Sequence, residues 1–293
     1  MTTHTTVREV AGPWSLATSR HFWEGFAPAA LSPRADDETL STVFLNERDW
    51  TPVAVSVRQE GRTAHLTVTG DGDLEAAAVQ TGRFLCLDID ARGWPAVGDR
   101  DPVIHAAQQA LPGLRPCGFH SPYEAAVWAV LSQRLRITQA ARLRAGLIEQ
   151  HGRNGAVPTP AHLRTLDLDL PGRKTEYLRA VADAALDGLL DGAQLRGLSP
   201  NAAIDQVRTV NGLGPFAAEL VVLRGANHPD GLPRHEPRLD AEITFRYGAD
   251  ATRDQVSEAW RPYRTWAAVH LRALREQRTQ EIAQGPDFVS DGS

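Results

Sequence analysis

The chain has few cysteines, a single lysine and no long apolar run among its 293 residues. Cys86 and Cys117 are too few for a disulfide framework, an iron–sulfur cluster or a four-cysteine zinc site. No apolar segment approaches the ~20 residues of a membrane helix. The first residues lack the basic-then-apolar layout of a secretory signal. We therefore expect a cytoplasmic protein that has no membrane contact and carries no cofactor.

The remaining composition is that of a folded protein of two domains. The hydrophobic fraction is 42% and the charged fraction 23%, which excludes disorder or coiled coil as a description of the whole chain. The net charge is −5, yet residues 121–180 carry nine basic and five acidic side chains. This segment is equally consistent with an anion-binding face and with an arginine-rich solvated helix surface.

Residues 1–100 are predicted to form an α+β domain, an antiparallel sheet with helices. Apolar residues alternate over 53–57 and 66–68 around Glu60-Gly61, which predicts a β-hairpin. Further strands are expected near Trp14–Leu16 and Phe84–Leu87, and a helix over 74–82. This part carries no chemical motif, so we interpret it as structural or positioning.

Residues 101–280 are predicted to be all-helical, with seven or eight helices, and 281–293 to be a disordered tail. Three pairs place a capping side chain before a proline, the preferred opening of a helix: Ser121-Pro122, Thr159-Pro160 and Ser199-Pro200. Apolar residues then recur at three- and four-residue steps. Pro262 is expected to divide the last helical stretch.

A Gly-x-Gly turn joins two of the predicted helices. The turn consists of Asn211, Gly212, Leu213, Gly214 and Pro215. Its glycines permit a positive φ, so turn amides and the following helix start can point outward together at a phosphate. Most such turns only connect helices, but the apolar flanks make this one moderately specific.

Three blocks of sequence together resemble the helix-hairpin-helix DNA glycosylases, in particular the DNA-3-methyladenine glycosylase II branch. They are Thr209–Leu220 at the turn, Ser121–Val127 with Gln139–Leu143, and Glu258–Ala268. The resemblance implies an α+β N-terminal domain followed by an all-α helix-hairpin-helix glycosylase core. It also implies that the protein binds duplex DNA, flips a damaged (alkylated or related) base and hydrolyses its N-glycosidic bond. We expect a monomer, nucleoid-associated in a bacterium.

The resemblance places the catalytic carboxylate on Glu236, where the family has Asp. Pro237 would be the first residue of a helix that ends at Gly248, and Glu236 its N-cap. Glu is not a favoured N-cap, so capping alone does not explain this residue. Asp240, one turn later, is the alternative carboxylate, and a solvated helix start without catalytic function is the third interpretation.

Two further positions depart from the family. The wedge that fills the space left by the flipped base falls within Gln133, Arg134 and Leu135, with either Arg134 or Leu135 inserting. A pocket tryptophan is replaced by Arg272, whose charge would repel a cationic base. Phe216 keeps an aromatic in the base pocket, and Tyr123, Trp128 and Trp266 either line that pocket or belong to the core.

The resemblance also bears on reaction type and on metals. Bifunctional members use a lysine just after the hairpin glycine; Pro215 stands there, and Lys174 is the only lysine. A monofunctional enzyme is therefore expected. The histidines show no metal-ligand spacing, whereas a structural Na⁺ or K⁺ at the hairpin carbonyls is compatible with the resemblance.

Two alternatives remain open at this point. One is a lesion-recognition protein of the same fold with lost or altered glycosylase activity, which the departures at 134, 236 and 272 favour. The other is a helical protein unrelated to DNA, which the net charge of −5 favours.

Overall fold

The structure is a computed structural model that describes residues 1–25 and 38–280. The predicted disordered tail, 281–293, lies outside the described residues. The described part combines one antiparallel sheet with many helices. None of the helices in these two ranges has both the length and the hydropathy needed to cross a bilayer.

Four strands near the N-terminus form an antiparallel sheet in the order β1-β4-β3-β2. Their bounds are β1 Thr2–Glu9, β2 Thr39–Leu45, β3 Pro52–Glu60 and β4 Thr63–Gly70. The predicted hairpin is confirmed as β3 and β4, with Val55 opposite Val68 and Val57 opposite Leu66. Gly61 turns the hairpin with a φ of +57°. One face of the sheet is buried, as the alternation in β3 and β4 predicts.

Two of the strand predictions are wrong. Trp14–Leu16 leads into the helix α1, Leu16–Glu24. The Ser15 side chain accepts a hydrogen bond from the amide of Thr18 at 3.1 Å and caps the helix start. Phe84 ends the helix α2, Leu74–Phe84, and Leu85–Leu87 continue as turns. The helix predicted over 74–82 is confirmed by α2.

Helices dominate the rest of the chain. They are α3 Pro95–Arg100, α4 Pro102–Ala110, α5 Pro122–Leu131, α6 Ile137–His151, α7 Pro160–Leu163, α8 Lys174–Leu186, α9 Gly192–Gly197, α10 Pro200–Arg208, α11 Pro215–Leu220, α12 Pro237–Tyr247, α13 Arg253–Ser257 and α14 Arg264–Thr279. A π-helical turn, Val221–Gly225, continues α11, and a 3-10 turn, Glu258–Trp260, follows α13.

The described residues from 101 to 280 therefore hold eleven α-helices, more than the predicted seven or eight. The difference comes from pieces of four to six residues, such as α7 and α9, which are too short to show a periodic apolar pattern. All three cap-then-proline openings are confirmed: Ser121, Thr159 and Ser199 each accept a hydrogen bond from a backbone amide three residues on.

The centre of the helical region is α5. All ten of its residues are buried, and it packs with α8, α11 and the π-helical turn. Tyr123 is fully buried and donates from its hydroxyl to the carbonyl oxygen of Pro158 at 2.8 Å, and Trp128 is 5% exposed. Their burial favours the core interpretation of these two aromatics, and their place in a base pocket stays a prediction.

A third apolar cluster joins distant parts of the sequence. Trp94 and Ile104, near α3 and α4, pack with Leu239 of α12 and with Trp260 and Trp266. Trp266 is 1% exposed and packs against Trp94, so it too is a core residue. Residues on both sides of position 100 thus share one core, and the division into domains at 100 and 101 stays a prediction.

Candidate DNA-binding and catalytic site

The predicted hairpin is present between α10 and α11. Gly212 has a φ of +93°, and a Cβ added there would lie 2.4 Å from Cγ of Tyr177 on α8. No other residue fits this position without strain or displacement. Gly214 has ordinary extended backbone, with φ −73° and ψ −177°, and space around it. The prediction of a positive φ is thus confirmed for Gly212 and wrong for Gly214, which instead leaves the start of α11 accessible.

The start of α8 supports the outer side of the hairpin turn. Asn211 donates from Nδ2 to Oε1 of Glu176 at 3.2 Å, and Arg173 forms an ion pair with Glu176. The Arg173 guanidinium lies 5.1 Å from the ring centre of Tyr177. These contacts hold the turn at one edge of an open groove of ≈ 540 Å³, which is lined by Gln133, Tyr177, Arg208, Thr209 and residues 210–214. The groove is large enough for a phosphate and the adjoining sugar.

The predicted wedge segment lies beside this groove. Gln133 donates from Nε2 to the carbonyl oxygen of Gly212 at 2.8 Å. Arg134 is exposed and has a φ of +56°, which is uncommon for a residue with a side chain. Leu135 is partly buried. The turn after α5 is therefore bonded directly to the hairpin, and Arg134 is its projecting side chain.

Lys174 of α8 binds the turn after α5 through its side chain. Its side chain is 5% exposed, and Nζ donates to the carbonyl oxygens of Val130 at 2.9 Å and Gln133 at 2.8 Å. Burial lowers the pKa of Lys174, and the positive charge of Arg134 lowers it further. The single lysine therefore caps the end of α5. Sequence reasoning noted its position but not this role, which depends on a contact over forty residues of chain.

Glu236 lies where the sequence predicts, as N-cap of α12. Its Oε1 accepts from the amide of Arg238 at 3.2 Å, and Gly248 ends the helix with a φ of +99°. The side chain is 22% exposed, and Oε1 is 3.9 Å from Nε of Arg272 on α14. Glu236 is thus neither solvated at a free helix start nor fully buried.

Arg224 adds a second guanidinium to this region. It is partly buried and donates from Nη2 to the carbonyl oxygen of Cys117 at 2.7 Å. Burial lowers the pKa of Arg224 to about 10; the positive charge of Arg272 also lowers this pKa, whereas the carboxylate of Glu236 raises it. The carboxylate of Glu236 therefore interacts with two guanidinium groups.

The alternative carboxylate has a different environment. Asp240 is 51% exposed and forms a salt bridge with Arg253, whose Nε lies 2.8 Å from Oδ1. This pairing with the start of α13 gives Asp240 a structural role.

Phe216, predicted in the base pocket, is 48% exposed at the start of α11.

One residue that sequence reasoning missed connects the hairpin with Glu236. Glu219 of α11 accepts from the amides of Arg234 and His235, both at 2.9 Å, and from Nδ1 of His235 at 2.8 Å. Its position within an apolar helix stretch, where a carboxylate needs partners, is the only sequence signal for it.

Comparisons with known proteins show what this chain is similar to. The probable bifunctional transcriptional activator/DNA repair enzyme AlkA of Mycobacterium tuberculosis is 30% identical over 217 residues, which are 68% of this chain and 42% of that protein. DNA-3-methyladenine glycosylase of Bacillus subtilis is 25% identical over 61% of this chain and 65% of its own length. DNA-3-methyladenine glycosylase 2 of Escherichia coli is 28% identical over 55% and 61%. This chain thus spans less than two thirds of each of these relatives.

The fold has solved counterparts. The structure of 3-methyladenine DNA-glycosylase from Archaeoglobus fulgidus superposes with a TM-score of 0.71 at 17% identity and covers 94% of this chain and 99% of that one. A structure of MBOgg1 in complex with a low-affinity DNA ligand has a TM-score of 0.64 at 17% identity and covers 95% and 99%. At such identities the likeness concerns the fold. No family model matches the sequence.

In fold, hairpin and relatives the chain is similar to the helix-hairpin-helix DNA glycosylases. Among these it resembles the alkylation-repair proteins, the DNA-3-methyladenine glycosylases.

Proposed function

We propose that the chain is a monofunctional DNA glycosylase, which binds duplex DNA, turns a damaged base out of the stack and hydrolyses its N-glycosidic bond. The observation that carries the proposal is the position of Glu236. It is a partly buried carboxylate at the start of α12, and the segment before it is bonded to the second helix of the hairpin. Relatives named for DNA repair and for 3-methyladenine support this function.

The hairpin is proposed to grip the DNA backbone. Gly212 shapes the turn, and the free space beside Gly214 leaves room for a phosphate at the start of α11. Pro215 has no amide hydrogen, so the amides of Phe216 and Ala217 are the proposed donors. Backbone amides at a helix start bind phosphate without regard to base sequence. Such a contact fixes the register of the strand while a single nucleotide rotates out.

Arg134 is proposed as the wedge that occupies the space left by the flipped base. It is exposed in an uncommon backbone conformation, and its neighbour Gln133 is bonded to the hairpin. Local strain of this kind is typical of functional positions. An arginine can fill a vacated stack with its planar guanidinium, and this favours Arg134 over the partly buried Leu135.

Glu236 is proposed to stabilise the positive charge that develops on the sugar as the glycosidic bond breaks, and to orient the attacking water. It lies at the start of α12, where the positive end of the helix macrodipole attracts an anion. Glu236 is preferred to Asp240 because Arg253 already binds Asp240.

The damaged base is proposed to be uncharged while it is still bonded to the sugar; it leaves with the electron pair of the glycosidic bond and takes up a proton from water. Two guanidinium groups, those of Arg272 and Arg224, act on Glu236. Purines alkylated at N3 or N7 carry a positive charge while bonded to the sugar, and these guanidinium groups repel it. A neutral alkylated or related damaged base meets no such repulsion.

The reaction is proposed to leave an intact abasic site. Pro215 follows the hairpin glycine, and Lys174 is engaged with two backbone carbonyls instead of being available as a nucleophile. A Schiff base at that position needs a free amine.

We also propose a monomeric, cytoplasmic protein that carries no organic cofactor. A Na⁺ or K⁺ at the hairpin carbonyls stays a prediction; one of them, Gly212 O, accepts from Gln133.

A second candidate function is lesion recognition without base release. It is favoured by the contact between Arg272 and Glu236, because an ion-paired carboxylate is less available to the sugar. A panel of duplexes with alkylated, deaminated and crosslinked bases separates the two candidates. Binding without excision supports the second. The relatives offer no support for a helical protein unrelated to DNA.

The variant Glu236→Gln tests the proposal. We expect base release in single-turnover reactions to fall by about 100-fold or more, with DNA affinity roughly unchanged. Asp240→Asn is the matched control and should release base at the wild-type rate. Wild-type release by Glu236→Gln would overturn the catalytic assignment.

A further inference from the structure

The buried carboxylate of Glu219 binds the chain segment that precedes Glu236. Glu219 is 5% exposed, although it lies in α11 among buried alanine and valine residues. Oε1 accepts from the amide of Arg234 and from Nδ1 of His235, and Oε2 accepts from the amide of His235. Both carboxylate oxygens are therefore used by two consecutive residues.

The partners of Glu219 are unusual for a buried acid. Glu242, which is also fully buried, pairs with the arginines at 246, 275 and 278. Glu219 instead receives two backbone amides and one histidine ring. A buried carboxylate costs free energy unless it is hydrogen-bonded, and amides bound to a charged acceptor make strong bonds. Displacement of the 234–235 backbone would leave this charge without donors, so the backbone is firmly held.

We propose that Glu219 is a positioning residue for Glu236. It fixes residues 234 and 235 relative to α11, and so places the next side chain, Glu236, at the start of α12. This inference rests on the proposed function, in which Glu236 acts on the sugar. Glu219 lies five residues after Gly214, on the helix that starts at the hairpin. The hairpin and the segment that leads to the reacting carboxylate are therefore both attached to α11.

The distance between the hairpin turn and the Glu236 carboxylate affects the rate of base release, because catalysis is sensitive to misplacement of about 1 Å. A Glu in place of the family's Asp has one more rotatable bond. A fixed backbone at residues 234–235 limits the positions that this longer side chain can reach.

The test compares Glu219→Gln with the wild type and with Glu236→Gln. Glutamine keeps the size of the side chain but turns an NH₂ group toward one of the two amides, which then loses its acceptor. We expect the single-turnover rate of base release to fall about 10- to 100-fold, while the dissociation constant for lesion-containing duplex stays within about two-fold. A loss confined to the rate is what a positioning role predicts.

The matched control is Glu124→Gln. Glu124 is 2% exposed on α5 and bonded to His120 at 3.0 Å, outside the proposed site. Both variants should lower the melting temperature, and only Glu219→Gln should lower the rate, measured well below both melting temperatures. Equal losses of rate in the two variants would show that Glu219 is merely structural and would overturn the inference.

Glu236→Gln separates this inference from the function on which it rests. If Glu236→Gln is inactive and Glu219→Gln releases base at the wild-type rate, the positioning role is overturned and the proposed function stands. If Glu236→Gln is as active as the wild type, the catalytic assignment of Glu236, on which this inference rests, is overturned. If the wild type releases no base from any duplex of the panel, the proposed function itself is overturned.

Discussion

The side chain of Gln133 donates a hydrogen bond from Nε2 to the carbonyl oxygen of Gly212, at 2.8 Å. This bond joins the turn that carries Arg134 to the turn proposed to grip the DNA backbone. The two turns are far apart in sequence, and their direct contact means that strand gripping and base displacement are geometrically linked.

Removal of this bond by Gln133→Ala is expected to slow base release about five-fold, because a single hydrogen bond contributes about 1 kcal/mol. The measurement is the single-turnover rate on a lesion-containing duplex. Gln108→Ala removes an equivalent bond, from Nε2 to the carbonyl oxygen of Trp94 at 2.8 Å, and should leave the rate unchanged. Equal rates in wild type and Gln133→Ala would disprove the linkage.

The two hairpin glycines should respond differently to alanine. Gly212→Ala places a Cβ against Tyr177 at a positive φ, and should cost about 1–3 kcal/mol of stability. Gly214→Ala has room in the free protein, so it should leave the melting temperature nearly unchanged and weaken salt-dependent binding to duplex DNA. Thermal unfolding and DNA titrations at two salt concentrations measure both effects. Unaltered DNA binding by Gly214→Ala would argue against a phosphate at this turn.

Arg272→Gln tests the proposed preference for neutral bases. Loss of the cation beside Glu236 should raise the release of cationic alkylpurines relative to neutral bases by about ten-fold, as one screened charge contact predicts. Arg275 lies on α14 like Arg272, but it pairs with Glu242 of α12. Arg275→Gln should therefore leave the ratio of cationic to neutral base release unchanged. If the ratio is also unchanged in Arg272→Gln, this residue does not determine the substrate.

The buried His270 side chain is expected to make the folded protein less stable in mild acid. Burial lowers its pKa from 6.5 to about 4, so the unfolded chain binds a proton at a higher pH than the folded one. The free energy of unfolding should therefore decrease as the pH falls from 6.5 to about 4, by up to about 3 kcal/mol from this group. His270→Gln should flatten that part of the curve in urea unfolding. An unchanged slope would assign acid sensitivity to other groups.

Local signals predicted the parts of the fold that depend on neighbouring residues. The three cap-then-proline pairs and the alternation in β3 and β4 each act within a few residues, and each is confirmed. Trp14–Leu16 shows the limit. Its apolar residues resemble a strand, but the side chain of Ser15 caps a helix.

In the candidate site, the roles that could not be predicted are those that depend on partners distant in sequence. Glu236 could be located from the proline that follows it and from the resemblance. The roles of Glu219 and Lys174 could not, because their partners lie on other elements and only the assembled core brings them together. Residue type alone leaves Tyr123 and Trp128 open between pocket and core, whereas the burial of every residue of α5 favours the core.

The most direct test of the account is the structure of Glu236→Gln bound to a duplex with a damaged base. The account predicts the damaged nucleotide outside the helix, its flanking phosphate at the turn of residues 211–214, and the carboxamide of residue 236 within about 4 Å of the anomeric carbon. A flipped sugar far from residue 236, or DNA bound on another face, would contradict it.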